Sequence, residues 1–199
     1  LIAHLTDEKP ARSFEFTDED SDILVDGGLL TVKPVIYAAN LDEDGMMNLD
    51  TNANFAALKK IADEQGAAVL PVAAKFEEDI AGMEPDEAEM FMADLGLTET
   101  GLDRLIKTSY DLLGYISFLT AGEDDVHAWT ITRGTKAPKA AGKVHSDIER
   151  GFIRAEIVAF DDLKACGSMA AAKEKGLLRL EGKDYVMQDG DITNFRFNI

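Results

Sequence analysis

The sequence predicts an α/β segment followed by an α+β domain. Three observations predict it. Two short runs, 33–39 and 67–72, are apolar on both faces and flank one helix-length stretch. From residue 116 the apolar period changes to two, and short Gly-punctuated strands then continue to the end. Doubly apolar runs mark buried parallel strands, and alternation marks strands with one wet face. A length of 199 residues suits one large domain or two small ones.

Each element follows in order. Leu1, Ile2 and Leu5 read as the end of a helix that Pro10 stops. Thr17-Asp18-Glu19-Asp20 is a helix start, a hydroxyl cap followed by acids, and Gly27-Gly28 ends that helix. Residues 33–39 form a buried strand, 40–48 a polar loop, and 52–65 a helix with Phe55, Leu58, Ile61 and Ala62 on one side. Residues 67–72 form a second buried strand despite Pro71. Strand, helix and strand make a βαβ unit, which crosses over right-handed. Two parallel strands cannot cover themselves, and no further partner strand is evident.

Residues 84–95 and 101–113 read as helices, the second with Leu102, Leu105, Ile106, Leu112 and Leu113 on an apolar face. Residues 115–120 and 126–132 form a hairpin around Gly122-Glu123-Asp124-Asp125. Helices are expected at 140–150 and 165–175. Strands are expected at 152–160, 177–180, 185–187 and 195–199.

The net charge is −18, concentrated in residues 1–116, with 25 Asp/Glu against 8 Lys/Arg. Such a surface argues against wholesale nucleic-acid binding. Residues 133–154 reverse the sign locally. Arg133, Lys136, Lys139, Lys143, Arg150 and Arg154 stand there against Asp147 and Glu149, and Gly134, Pro138 and Gly142 mark an exposed loop. These six residues are the candidates for phosphate contacts. Arg150 and Arg154, flanked by Glu149 and Glu156, are weaker candidates than the loop lysines, because intradomain pairing accounts for them.

No apolar run reaches the roughly 18 residues of a membrane span. A single cysteine, Cys166, fits a reducing compartment and a cytoplasmic location. Asp7, Glu8 and Lys9 interrupt any signal peptide, and the opening Leu1 reads as a fragment or a processed chain. His4 and His127 lack partners at metal spacing, so no metal site is assigned. Trp129 reads as core, His145 as structural, and Cys166 as a small buried residue.

The most informative stretch is Asn40-Leu41-Asp42-Glu43, where a βα loop leaves the carboxyl end of a strand. Ligands of α/β sheets bind at that end. GTPases place Asn-Lys-x-Asp there, and its Asp accepts from guanine N1–H and the 2-amino group. Here Leu41 replaces Lys and Glu43 stands in place of Asp, so guanine is no longer rewarded. Asn40 can donate and accept, and so can serve adenine. The second strand ends in Ala73-Ala74-Lys75, at the place of a Ser-Ala-Lys-like loop whose backbone N–H groups contact the base. Ala73 and Ala74 are small enough for a close approach.

Residues 33–43 (KPVIYAANLDE) resemble the base-recognition strand and loop of the YchF/Obg-like ATPases, a branch of the P-loop GTPase class that prefers ATP. Residues 9–17 (KPARSFEFT) resemble the point where that family's inserted coiled coil returns. Residues 117–122 (SFLTAG), 133–138 (RGTKAP), 147–155 (DIERGFIRA), 188–191 (QDGD) and 195–199 (FRFNI) resemble its TGS domain. The resemblance implies the end of a coiled-coil segment at 1–16, the C-terminal βαβ-and-helices remnant of a P-loop G domain at 17–116, and a β-grasp-like TGS domain at 117–199. It implies ATP with Mg2+ in the full-length protein, with base contacts from Asn40, Leu41, Glu43, Ala73, Ala74 and Lys75. It further implies a ribosomal partner (the large subunit) or RNA through the TGS domain, and pairing with the N-terminal half of the same protein.

No G-x-x-x-x-G-K-[ST] occurs in the sequence. No catalytic residue is therefore assigned, and the chain alone is expected to be inactive. The alternative is a stand-alone RNA- or ribosome-binding module without nucleotide function. A GTPase of a related TGS-bearing branch is a third reading, against which Leu41 and Glu43 argue.

Overall fold

The computed structural model describes residues 1–17, 20, 27–122 and 125–198. The chain divides into two units, Leu1–Leu112 and Leu113–Ile199. The helix expected after Thr17 and part of the expected turn at Gly122-Glu123-Asp124-Asp125 lie outside the described residues.

The first unit is built on two parallel strands. After a short helix α1 (Ile2–Thr6), strand β1 (Ile36–Asn40) pairs with β2 (Ala68–Val72), in a register from Ile36↔Ala68 to Asn40↔Val72. β1 begins later than expected, because Leu30–Val32 form a 3-10 turn and Pro34 precedes the ladder. The stretch expected as a loop holds a helix, α2 (Glu43–Met47), because the Asp42 carboxylate caps it by accepting from Gly45 N–H at 2.8 Å. Asn52 caps α3 (Ala53–Glu64), accepting from Asn54 and Phe55 N–H at 3.1 and 3.0 Å. Pro71 sits opposite Ala39 in a strand that, among the described residues, is paired on one side only.

Three helices follow β2: α4 (Ala74–Ile80), α5 (Pro85–Asp94) and α6 (Gly101–Leu112). A small core of Met46, Ala73, Phe76 and Ile80 lies at the carboxyl ends of the strands. The Glu77 carboxylate accepts Gly101 N–H at 2.5 Å and ties α4 to the start of α6. The apolar face expected on α6 is not buried: Leu102 is 63% and Ile106 50% exposed. Two strands present too narrow a sheet to cover that helix.

The second unit is a five-stranded mixed sheet in the order β4-β3-β7-β5-β6. β3 (Tyr115–Ala121) and β4 (Val126–Thr132) form the expected hairpin, paired from Tyr115↔Thr132 to Ala121↔Val126. Ile116, which the sequence grouped with the first segment, is buried in the second core, so the sheet begins before residue 117. β7 (Asp191–Phe197) runs parallel to β3 and antiparallel to β5 (Phe152–Ala159), and β6 (Arg179–Glu181) closes the other edge.

Helices lie on both faces of this sheet. On one face Ala137, Ala140 and Ala141 of α7 (Ala137–Val144) pack against Ile116, Phe118, Phe152, Ile157 and Phe195. Ala172 and Leu163 pack with Val158 and Ile192 in a separate cluster. The helix expected at 140–150 is two, α7 and α8 (Ser146–Arg150), because His145 takes an extended conformation at φ −161° and caps α8 by accepting Asp147 N–H. The helix expected at 165–175 is also two, α9 (Phe160–Cys166) and α10 (Met169–Glu174), broken by left-handed Gly167 at φ +76°. Residues 185–187 form a single bridge, Lys136↔Val186, rather than a strand.

Trp129 is half-buried rather than core. Its ring lies 6.5 Å from Phe118 and 4.3 Å from exposed His127, and its Nε1–H donates to Thr120 Oγ1 at 2.9 Å. Cys166 is likewise half-buried. Asp191 is 2% exposed and accepts from Tyr185 O–H and Gln188 N–H, each at 2.9 Å. Burial, reinforced by the bond to Asp191, pushes the Tyr185 phenol up to about 12.

Candidate functional site

The first site is built where β1 and β2 end. Asn40 closes β1, and its side-chain Oδ1 accepts Ala74 N–H at 3.1 Å. Leu41 N–H donates to Val72 O at 2.8 Å. These two bonds bring the loop after β1 against the loop after β2. A cavity of about 270 Å³ lies between them, lined by Leu41, Asp42, Glu43, Ala73, Lys75 and neighbours. Ala73 is 2% exposed and belongs to the small core beneath. Asp42 is committed to its helix cap, whereas Glu43 is exposed on the rim. Lys75 Nζ lies 2.8 Å from Asp79 Oδ1 and 3.3 Å from Glu78 Oε2, and these carboxylates, Asp79 first, raise its pKa above the ordinary lysine value.

The six basic residues of the second unit separate into two groups. Lys136, Lys139 and Lys143 line one cavity of about 810 Å³ together with Tyr115, Thr130 and Thr132. Lys136 Nζ pairs with Asp184 Oδ1 at 2.8 Å, and Lys139 Nζ with Glu149 Oε1 at 2.6 Å. Arg150 pairs with Asp147, and Glu149 is taken by Lys139. Glu156 pairs with Arg196 at 2.9 Å, which holds its carboxyl below the usual range. Arg150 and Arg154 are not among the residues lining the cavity, and Arg133 is exposed. Among the described residues, no group of three or more His, Cys, Asp or Glu is arranged to hold a metal, and no helix is long and apolar enough to cross a membrane.

Residues 115–198 match the YchF-GTPase_C family, described as a protein of unknown function (DUF933). The ribosome-binding ATPase YchF of Bacillus subtilis (strain 168) is 53% identical over 192 residues, which is 96% of this chain and 52% of the relative. This is a YchF-family chain. The Pasteurella multocida (strain Pm70) ribosome-binding ATPase YchF is 45% identical over 94% of the chain and 51% of its own length. Obg-like ATPase 1 of Oryza sativa subsp. japonica is 42% identical over 99% and 50%. The Schizosaccharomyces pombe YchF GTPase superposes with a TM-score of 0.80 at 35% identity, covering 97% of this chain and 51% of that structure. The YchF-family chain thus spans about half the length of the relatives it matches.

Sequence reasoning picked out the two loops that meet at the ends of β1 and β2 in this YchF-family chain but missed two features. One is the cap by Asp42, legible in principle as an Asx residue before Glu43 and Asp44. The other is Tyr115, Thr130 and Thr132 in the basic cavity. Thr130 and Thr132 alternate along β4, and Tyr115 pairs with Thr132, so only the hairpin register places them together.

Proposed function

We propose that this chain is part of a ribosome-associated, cytoplasmic ATPase. In this reading the first unit supplies the adenine-recognition rim and the second is a β-grasp-like TGS module that contacts the ribosome, at the large subunit, or RNA. The observation that carries the first half is the 3.1 Å bond from Ala74 N–H to Asn40 Oδ1. It aligns the two loops on one cavity and leaves the Asn40 amide nitrogen as the donor for a base. Small Ala73 and Ala74 permit a close approach, Leu41 offers an apolar edge, and Glu43 and Lys75 stand at the rim.

The residues fit the base of ATP but not its phosphates or Mg2+, because no G-x-x-x-x-G-K-[ST] occurs in the sequence. In the full-length protein the N-terminal half would supply those groups. The basic segment from Arg133 to Arg154 on an otherwise acidic body supports the RNA half of the reading. ATP and GTP titrations of the full-length protein test the proposal, with tighter ATP binding expected. Equal or tighter GTP binding would reject the adenine rim. The 199-residue chain alone is expected to release no phosphate from ATP, and turnover in a contaminant-free phosphate assay would contradict this.

A further inference from the structure

The cavity of about 810 Å³ in the second unit is lined from both faces of the sheet. Ile131, 3% exposed, points into the core beneath α7, whereas Thr130 and Thr132 alternate with it onto the opposite face. One cavity touches all three only where the sheet stops. It therefore lies along the outer edge of β4, which among the described residues pairs with β3 alone. Lys136, Lys139 and Lys143 border it from α7 and its N-cap.

The ladder shows what that edge offers. In an antiparallel pair, opposed residues alternate between hydrogen-bonded and non-bonded pairs. Arg133 N–H donates to Gly114 O at 2.7 Å, and Gly122 N–H to Asp125 O at 2.8 Å. Steps of two from either end make Ile116↔Ile131, Phe118↔Trp129 and Thr120↔His127 the bonded pairs. Leu119↔Ala128 and Ala121↔Val126 are then non-bonded, so Ala128 and Val126 turn their N–H and C=O groups away from β3. Both residues are exposed. Two donors and two acceptors, set roughly 7 Å apart along an edge, are a template for another strand.

The chemistry of the edge selects its occupant. A nucleic-acid strand lacks the alternating amide donors and carbonyl acceptors that continue a ladder, whereas an extended polypeptide has them. An added strand places every second side chain on the α7 face, beside the lysines. Lys143 is exposed and, among the described residues, pairs with no carboxylate. The Asp184 side chain is 94% exposed and that of Lys139 76%, so the pairs of Lys136 and Lys139 are solvent-screened and exchange readily for another carboxylate. A second copy of β4 on this edge would bring two lysine rows together, which disfavours self-pairing. The acidic body does not repel a carboxylate here, because residues 117–199 hold 12 Lys/Arg against 13 Asp/Glu.

We infer that the edge of β4 captures an extended segment of a partner protein as a sixth strand, with carboxylates at alternate residues facing Lys139 and Lys143. The inference goes beyond the ATPase reading and depends on neither the adenine rim nor RNA contact.

The test uses the 199-residue chain and fluorescence anisotropy with a labelled ten-residue peptide of alternating Glu and Thr. Binding is expected, with slower amide exchange at Val126 and Ala128 by NMR. The same peptide N-methylated at every residue should bind at least tenfold more weakly, and so should a peptide with all its Glu before all its Thr. Lys143→Glu should weaken binding at least tenfold, while Arg154→Glu, on β5, changes it less than threefold. Ala128→Pro removes one outward N–H, spares the bonds to β3, and should also cost at least tenfold. Lys143 is exposed and N-methylation leaves the protein untouched, so both results stand even if Ala128→Pro disturbs the hairpin. No binding, or equal binding of the N-methylated peptide, overturns the added strand. Unchanged binding by Lys143→Glu, or equal binding of the block peptide, overturns the carboxylate pattern. Displacement of the peptide by a single-stranded RNA pentamer whose own binding is lost in Lys143→Glu but kept in Ala128→Pro overturns the peptide as occupant. Self-association of the chain that Ala128→Pro abolishes overturns the partner in favour of a second copy.

Discussion

Asn40 does two things that two substitutions separate. Its Oδ1 accepts Ala74 N–H at 3.1 Å across 34 residues of sequence, and in the proposed reading its Nδ2 is the donor to a base. Asn40→Asp keeps an oxygen for Ala74 and removes the donor, whereas Asn40→Ala removes both. A hydrogen bond contributes about 0.5–1.5 kcal/mol net, with exposed bonds at the low end. Asn40→Ala should therefore destabilise the chain by about 0.5–1 kcal/mol, a shift of roughly a few degrees in a thermal melt followed by circular dichroism. Asn40→Asp should melt close to wild type.

Nucleotide binding by the full-length protein should show the opposite pattern. Both variants lose one donor to the base, worth up to about tenfold in Kd, and Asn40→Asp loses more because its charge faces ring nitrogens that accept. Wild-type ATP affinity in Asn40→Asp would show that Nδ2 does not touch the base. A wild-type melt for Asn40→Ala would show that the tie between the loops is idle.

Further expectations concern the second unit. A Cβ at Gly151 would press on the Asn198 backbone, with its carbonyl carbon 2.9 Å and its nitrogen 3.2 Å away. Gly151→Ala should cost about 1–3 kcal/mol by overpacking, and a wild-type denaturation midpoint would refute this. Asp191→Ala orphans the Tyr185 O–H and Gln188 N–H, and a loss of about 3 kcal/mol is expected in urea titrations, since bonds to a charged acceptor run at about 1.5–3 kcal/mol each before solvent screening. A loss below about 1 kcal/mol would mean that water replaces the carboxylate. Because the Tyr185 phenol is raised from 10.0 to about 12, its contribution is fully present below pH 10 and disappears as pH rises through 12. Tyr185→Phe should flatten that alkaline limb of the urea midpoint, and an unchanged limb would argue against it.

Much of the fold was legible because its signals are local. Residues 36–40 and 68–72 pair in parallel as their largely apolar runs predict, although only Ala39 and Leu70 in them are buried rather than the whole strands, and β3 and β4 alternate as their register requires. The failures are also local, but of a kind that hydrophobic pattern cannot see. Asp42 turned an expected loop into a helix start. His145 and Gly167 each split one expected helix in two by their backbone conformation, while the apolar periodicity ran on across the breaks.

By itself the sequence determined the order of elements, the acidic body with its basic segment, and the two loops expected to share a base. Composition and spacing along the chain are enough for these, since a βα loop can open only at the end of its own strand. Only the tertiary structure decided which side chains meet. It committed Asn40 to Ala74, gave Glu149 to Lys139, and gathered three lysines with Tyr115 while excluding Arg150 and Arg154. Those pairings depend on register and helix packing between residues far apart in sequence, which no local pattern encodes.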